Sequence, residues 1–428
     1  MNEMMQIMKD LTPLRRVFCS NDYDKSVEYL SRLLPFQVHS YASKDETKGW
    51  TIPPKSEILE AKILKNGKFV YDGLHHPLAV ISLSKGFRGK VSLSELKRHL
   101  YYDRRMADAI PYHFRQQYRS WERDWGFAVT KIFFDGLDEG EYEVILDTKE
   151  SEGALKVMEM SLRGRYGETF VFVAHLDHPG MANDDLAGCA VAVELFKRLS
   201  SKKTKYSYKL LLVPEIVGSE YYMTLTNLAN REHIIEALFL EMLGSRTPLS
   251  IQHSLHGKSN LEEALADGVK SLKVTCSEGP FKSIICNDES IWEAYDIPMS
   301  CLSRYPYPEY HTHLDDLSII AEESLEESVE LLWRAVESLE KKDMIYKKFE
   351  GTVCLANPKY DLYVDQGQPA FGDLASEEKN RLRLLMDMIP TLRQPVTVKS
   401  LAEKVGLGES IVADYLKKWE AKKLLEIR

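Results

Sequence analysis

Strands and helices alternate along the central part of this chain, and the alternation restricts the possible folds more than any other feature. Between about residues 151 and 345, apolar runs predict buried strands at TFVFVAH, SYKLLLVPE, ALFLEML, SLKVTC and IPMSCLS. Helical patterns separate or follow these runs, at DLAGCAVAVELFKRLS, GSEYYMTLTNLAN and EESLEESVELLWRAVESLEKK. Such alternation is typical of an α/β sheet that is covered by helices on both faces.

The flanking segments have other patterns, and a chain of 428 residues is long enough for two or three domains. Residues 1–50 look helical and are assigned, with residues 151–350, to the α/β domain. Residues 51–150 contain AKILKNGKFVYDG, LAVISLS, GFAVTKIFF and YEVILDT, which predict strands of an inserted small β-domain. We predict a linker at 351–375 and a winged-helix domain at 376–428, because three short helical patterns there precede a terminal LLEIR.

Charge and cysteine content exclude several classes of function. The formal net charge of −9 gives no general affinity for nucleic acid or anionic lipid. From Ser376 onward, 11 Lys and Arg stand against 8 Asp and Glu, a balance of only +3, so a protein-interaction or dimerisation role is favoured over DNA binding. The six cysteines are scattered without CxxC spacing, which argues against a cysteine zinc site and a disulfide framework.

Targeting signals are not apparent either. The N-terminal stretch MNEMMQIMKDLTPL lacks the pattern of a signal peptide, and no apolar stretch is long enough to span a membrane. We therefore expect a cytoplasmic protein.

A metal-binding pattern is centred on VFVAHLDHPGMANDDLAG, residues 171–188. An apolar strand ends at His175, and the next turn carries Asp177 and His178. The chain then returns through Asp184 to a helix. Strand ends in open α/β sheets are where ligands gather, and imidazole with carboxylate suits zinc or a similar divalent ion.

Further polar residues interrupt or follow other apolar runs. Glu215 follows LLLVP, Glu241 lies within ALFLEML, and His311 lies in RYPYPEYHTHLDD. An acid at the end of a buried strand costs free energy unless it is paired or metal-bound. A single shared cation site explains these residues together with His175 and Asp184.

Each residue taken alone also has an ordinary structural interpretation. His175 is compatible with a hydrogen-bonded core histidine, and Asp184 with an N-cap of the following helix. Glu215 is compatible with a helix cap, Glu241 with a surface ion pair and His311 with an exposed loop. The metal-site hypothesis depends on their joint occurrence in this order.

The motifs H-x-D, N-D-D-x-x-G, a strand-end Glu before G-S, E-M-L-G and Y-H-T resemble those of the co-catalytic zinc aminopeptidases, over about residues 165–320. The whole chain is similar to a bacterial group of aminopeptidase-like proteins that carry an inserted β-domain and a C-terminal winged helix. The segments that support this are GWTIP, IPY, WGF, ANDDLAG, PEIVGS, NDE and YPEYHT. The resemblance implies a mixed sheet flanked by helices.

The resemblance also implies roles for the candidate metal ligands. His175 would bind the first metal and Asp184 would bridge two metals. Glu241 would complete the first site in place of the usual Asp of these enzymes, and His311 would bind the second metal. The expected cofactor is zinc, as one or two ions.

Glu215 is expected to be the general base, and Asp177 to orient the imidazole of His175. Two-metal aminopeptidases carry a Glu-Glu pair here, whereas this chain has Ile216 after Glu215. Either Glu215 keeps the base role and the second metal is held weakly, or Glu215 is itself a ligand. Glu220, one helical turn on, is a less favoured substitute.

The predicted function is zinc-dependent removal of N-terminal residues from peptides. Asp288 or Glu289 would bind the substrate ammonium, while Arg304 and Tyr310 would line the pocket. The aromatic run IPYHFRQQYRSWERDWGF either forms a wall over the site or, as we favour, only packs against the catalytic domain. Two alternatives stay open: an amide hydrolase acting on a sugar or polysaccharide precursor, and a non-catalytic metal-binding interaction protein with a degenerate site.

Overall fold

The computed structural model describes residues 2–226, 233–257, 259–365, 367 and 375–428. The chain forms two compact units, Met1–Ala335 and Val336–Arg428. Part of the predicted linker and the end of the predicted helix GSEYYMTLTNLAN lie outside the described residues.

The strands of the first unit, in chain order, are β1 (Gln37–Ala42), β2 (Glu46–Thr47), β3 (Trp50–Thr51), β4 (Lys55–Lys65), β5 (Lys68–Asp72), β6 (Phe87–Ser92), β7 (Leu100–Tyr101), β8 (Phe127–Ala128), β9 (Glu141–Ser151), β10 (Ala154–Leu162), β11 (Thr169–His175), β12 (Ser207–Val213), β13 (Ile234–Glu241), β14 (Leu249–Gln252), β15 (Cys276–Gly279) and β16 (Met299–Ser303). The helices that begin in this unit are α1 (Glu3–Leu11), α2 (Asn21–Ser31), α3 (Leu93–Arg98), α4 (Arg115–Tyr118), α5 (Lys131–Asp135), α6 (Gly188–Ser200), α7 (Val217–Tyr221), α8 (Asn260–Leu272), α9 (Glu289–Glu293) and α10 (Glu322–Lys341).

A mixed sheet forms the centre of the first unit, as the strand–helix alternation predicts. Among the described residues, eight strands pair in the order β1-β10-β12-β11-β13-β16-β14-β15. The four central strands β12, β11, β13 and β16 are parallel, and β10 and β14 flank them in antiparallel orientation. Every side chain of β12 and β13 is buried, as expected for parallel strands covered on both faces.

Two strand predictions are wrong, and a third, GFAVTKIFF, is correct only at β8, because Lys131–Asp135 form helix α5. SLKVTC was expected to form a strand, but α8 continues to Leu272 and β15 begins only at Cys276. LAVISLS makes an isolated bridge from Val80 to Phe127 and no strand. Its consecutive residues Leu78 and Ala79 are buried in two different apolar clusters, and this packing does not require a strand ladder.

A separate antiparallel sheet, in the order β5-β4-β9-β6, is formed by residues 55–151. Its core is apolar and includes Ile63, Phe127, Val144 and Leu146, all of which are fully buried. These strands coincide with the predicted inserted β-domain, except that β9 ends at Ser151. The domain boundaries themselves stay predictions.

The second unit contains β17 (Met344–Lys347), α11 (Glu377–Met388), β18 (Val396–Thr397), α12 (Val398–Val405), α13 (Glu409–Ala421) and β19 (Leu425–Ile427). The three strands pair in the order β18-β17-β19. Leu355, Leu362 and Val364, from the segment predicted as a linker, are buried in the core of this unit. The three helices lie where the sequence predicts them, while the winged-helix assignment stays a prediction.

Within the part of the chain that the structure describes, each helix is too short or too polar to cross a membrane.

Candidate metal centre

Three predicted site residues stand at the carboxyl ends of adjacent parallel strands. His175 is the last residue of β11, and Glu241 is the last residue of β13. Glu215 follows the end of β12 by two residues. Because β11 lies between β12 and β13, the three side chains emerge at the same edge of the sheet.

The side chains converge around the carboxylate of Asp184. His175 Nε2 lies 3.0 Å from Asp184 Oδ1 and 3.7 Å from Glu241 Oε1. His311 Nε2 lies 3.2 Å from Asp184 Oδ2. The structure therefore brings together His175, Asp184, Glu241 and His311, although about 140 residues separate the first from the last.

These close approaches are not hydrogen bonds. Both ring nitrogens of His175, both carboxylate oxygens of Asp184 and Nε2 of His311 are buried without a hydrogen-bond partner among the described residues. Around a tetrahedral zinc with ligands at about 2.0–2.1 Å, neighbouring ligand atoms are about 3.3 Å apart. The observed separations are close to this value, so the residues fit a divalent cation.

Two overlapping groups of potential ligands are present. Ligand atoms of His175, His178 and Asp184 lie within 4.8 Å of one another, and so do those of His175, Glu215 and Glu241. The donor set of imidazole nitrogens and carboxylate oxygens is the one that zinc takes in proteins. All of these side chains are buried, and water therefore does not solvate their charges.

Burial and the contacts between these side chains shift the pKa values in this cluster. Burial opposes the charged form of His175. The nearby carboxyl groups of Asp177, Asp184 and Glu241 have the larger effect and raise the pKa of His175 well above its ordinary value. Burial and the nearby carboxylates raise the pKa of Glu241 as well. Protons and a metal ion would compete for the same atoms.

His178 also belongs to this site, although no role was predicted for it from the sequence. It is 2% exposed, with Nδ1 3.1 Å from Asp184 Oδ1 and Nε2 3.2 Å from Glu215 Oε2. Against the cost of burial, the carboxylate of Asp184 raises the pKa of His178 to about 10. The signal available in the sequence was its position in the turn after β11, next to two candidate residues.

Glu215 is held from two sides. Its Oε2 accepts hydrogen bonds from Tyr118 Oη at 3.0 Å and His178 Nε2 at 3.2 Å. Its backbone N–H donates to Asp177 Oδ1 at 2.9 Å. Burial opposes ionisation, but the contact with His178 lowers the pKa of Glu215 to about 2, so the carboxylate is the stable form.

Asp177 contacts both Glu215 and His175. Its Oδ1 accepts the hydrogen bond from the Glu215 backbone N–H. The same oxygen lies 3.7 Å from His175 Nδ1. This placement is compatible with the predicted role of orienting His175.

Neighbouring side chains fix the loop that carries Asp184. Asp315 accepts backbone hydrogen bonds from residues 182–184 and a hydroxyl hydrogen bond from Tyr307. Asp185 accepts from the backbone N–H groups of His175, Gly188 and Met242, which ties β11, α6 and the turn after β13 together. Asp184 is not the N-cap of α6, since Ala187 occupies that position without a side-chain cap.

Arg16 supports the other side of the same loop. The guanidinium is fully buried and donates to the backbone oxygens of Leu11, Leu176 and Met181. Burial lowers its pKa to about 10, which leaves it charged at neutral pH. Arg16 was not predicted to be a site residue, because an Arg near the N-terminus carries no local signal of burial.

The aromatic run of residues 110–127 reaches the site. Tyr112 N donates to His311 O at 2.8 Å, and the ring of Tyr112 lies 4.8 Å from that of His178. Phe114 lies 5.4 Å from His311, and Tyr310 stacks on His311 at 3.9 Å. Because Tyr118 also contacts Glu215, the run contributes a wall of the site as well as packing.

The other predicted substrate-binding residues have structural partners. Asp288 and Glu289 are fully buried. Asp288 accepts a hydrogen bond from the backbone N–H of Ile216. Glu289 accepts hydrogen bonds from the side chain of Gln252 and from the backbone N–H of residue 287. Arg304 is 4% exposed and donates to Thr247 O, Ser324 O and Glu327. Their substrate roles stay predictions, and these contacts do not support them.

Glu220 is directed away from the site. Its Oε1 contacts Lys48 Nζ, Thr224 Oγ1 and Tyr295 Oη, at distances from 2.8 to 3.1 Å. It therefore does not replace the second glutamate of the two-metal aminopeptidases.

Residues 5–342 match the family described as "Domain of unknown function (DUF4910)", which covers well over half of the chain. The chain belongs to this family. Over 346 residues, it is also 26% identical to a Clostridium acetobutylicum protein described as "Putative polysaccharide biosynthesis protein with aminopeptidase-like domain". That alignment covers 79% of this chain and 78% of the relative.

Solved structures confirm the predicted fold class and the resemblance to zinc aminopeptidases. A crystal structure of a "putative peptidase" from Clostridium acetobutylicum has a TM-score of 0.76 at 22% identity, covering 100% of this chain and 96% of the other. A zinc aminopeptidase from Bacillus subtilis has a TM-score of 0.59 at 14% identity, covering 79% of this chain and 95% of the other. At these identities the likeness shows the fold alone.

Proposed function

We propose that this member of the family is a zinc-dependent hydrolase that cleaves the amide bond after the free N-terminal residue of a peptide. One observation carries the proposal: buried nitrogen and oxygen atoms of His175, Asp184 and His311 converge without hydrogen-bond partners among the described residues. With Glu241 they form a ligand set for one or two zinc ions.

Zinc in such a site lowers the pKa of water and polarises the carbonyl that is attacked. Glu215 supplies the base: its carboxylate removes a proton from the attacking water and returns it to the leaving amine. Asp177 holds the Glu215 backbone, and Tyr118 donates to its Oε2. The aromatic side chains Tyr112, Phe114 and Tyr310 shield the reacting atoms from bulk water.

The test is hydrolysis of aminoacyl p-nitroanilides by the zinc-loaded full chain, with the N-acetylated anilides as blocked substrates. We expect cleavage of the free amines only. Glu215→Gln is expected to lower the rate by about 10²–10⁴-fold, because it removes the proton acceptor.

Glu220→Gln is the matched control, since Glu220 is also buried but its carboxylate contacts Lys48, Thr224 and Tyr295 outside the site. Glu220→Gln should keep the wild-type rate. Absence of hydrolysis of every free-amine substrate, by a protein shown to contain zinc, would contradict the aminopeptidase proposal.

A second candidate function follows from the relative whose description includes polysaccharide biosynthesis. An amide on an N-acyl amino sugar requires the same zinc and the same base. Release of acid from N-acyl amino sugars, without cleavage of aminoacyl anilides, would favour this substrate class.

A further inference from the structure

His178 has the geometry of a metal ligand whose orientation is fixed by a carboxylate. Its Nε2 makes a hydrogen bond of 3.2 Å with Glu215 Oε2. An ionised carboxylate only accepts hydrogen bonds, so Nε2 carries the proton. In the neutral ring, Nδ1 therefore bears a lone pair.

That lone pair faces another electron-rich atom. His178 Nδ1 is 3.1 Å from Asp184 Oδ1, and neither atom has a hydrogen-bond partner among the described residues. Both atoms are buried, since His178 and Asp184 are 2% and 1% exposed. Two such atoms in contact repel each other unless a proton or a metal cation lies between them. Without metal, a proton on Nδ1 fills this place, and metal binding displaces it.

The same Asp184 oxygen also contacts the first histidine. His175 Nε2 lies 3.0 Å from Asp184 Oδ1, close to the 3.1 Å of His178 Nδ1. Both values approach the spacing of about 3.3 Å between ligands of a tetrahedral zinc. Two histidines and one carboxylate also form the ligand set of many catalytic zinc sites, which leave one position open.

We propose that His178 Nδ1 is a further zinc ligand, which binds the metal beside His175 and Asp184. This inference rests on the proposed zinc function of the same centre. It also gives Glu215 a second role, because the carboxylate that acts as base holds the His178 ring in the tautomer that binds metal.

The alternative is that His178 only positions Glu215, and His178→Gln separates the two roles. The glutamine side chain keeps an N–H donor for Glu215 Oε2 but removes the lone pair at Nδ1. The measurement is zinc affinity of the full chain, by competition with a chromophoric chelator. Loss of a ligand should weaken zinc binding by more than about 100-fold, since loss of a partner that only orients a ligand costs about 10–100-fold.

X-ray absorption at the zinc edge gives an independent readout, because it counts imidazole ligands. We expect one imidazole fewer in His178→Gln than in the wild type. His76→Gln is the matched control: His76 is half-buried beside Gly180 of the same loop, but its ring contacts His313 outside the centre. It should keep wild-type affinity and imidazole count.

Unchanged zinc affinity and an unchanged imidazole count in His178→Gln would overturn the inference. A zinc-loaded wild type that hydrolyses no amide would overturn the proposed function while leaving the His178 assignment intact. A wild type that binds no zinc would overturn both.

Discussion

Gly188 is the first residue of α6 and lies where three elements of the site meet. A methyl group at this position would lie less than 3.0 Å from both carboxylate oxygens of Asp185 and from Leu240 O of β13. Neither neighbour can move freely. Leu240 O is backbone next to Glu241, and Asp185 holds the N–H groups of His175 and Met242.

Three effects decide the stability of Gly188→Ala. Alanine favours the helix by up to about 1 kcal/mol over glycine. Overpacking of a rigid site costs about 1–3 kcal/mol. Displacement of Asp185 leaves buried N–H groups without acceptors, which costs about another 1–3 kcal/mol. The unfavourable effects outweigh the first, and we expect a net loss of about 3 kcal/mol in the free energy of unfolding.

Urea unfolding of Gly188→Ala, followed by circular dichroism, measures this loss, and zinc affinity should fall with it. Gly268→Ala in the interior of α8 is the matched control, because its closest contact is the flexible end of Leu331, at 2.8 Å. This control should stay within about 1 kcal/mol of the wild type. Equal stability of the two variants would refute the reasoning about Gly188.

Three further predictions concern charge and metal. The carboxylate of Glu159 contacts the polar side-chain atoms of His39, Ser161, Lys209 and Tyr222. Burial opposes ionisation of Glu159, but its polar contacts lower its pKa below the ordinary 4.5. The ionised carboxylate therefore stabilises the fold above pH 4.5, and this contribution is lost on acidification. The unfolding midpoint of Glu159→Gln should therefore fall less between pH 6 and 3 than that of the wild type. Arg16→Met removes the donor of three buried carbonyl groups and should cost at least about 3 kcal/mol in urea unfolding. Zinc at about 1,000 times its Kd should stabilise the chelator-treated protein by about 4 kcal/mol, and identical melting curves with and without zinc would exclude a metal centre.

The side chains that converge at the candidate metal centre were easiest to find from the sequence where they lie at a strand end. His175 and Glu241 each end a strand, and Glu215 follows one closely, so apolar runs were enough to find them. Residues in turns gave weaker signals. His178 lies beside the predicted ligands in the sequence, but whether its ring points into the site depends on the path of the turn.

Residues of the N-terminal and inserted segments that contact the site were harder still to predict from the sequence. Arg16 donates a hydrogen bond to the backbone of Leu176, 160 residues later in the chain, and Tyr118 donates to Glu215, 97 residues later. No local pattern distinguishes Arg16 from a surface Arg, and the aromatic run that contains Tyr118 does not show which of its side chains reach the site. For LAVISLS, the opposite problem arose, because consecutive apolar residues fit two buried clusters as well as they fit a strand.

By itself, the sequence determined the four central strands β11, β12, β13 and β16 and the chemical types available at their ends, because strand periodicity is a local property of the chain. Only the tertiary structure decided that β11 lies between β12 and β13, and thus which carboxylates surround His175. It also decided that Glu220 turns away while His178 turns inward. Strand order and side-chain direction depend on contacts between residues far apart in the chain, and the burial of the whole sheet selects one arrangement of them.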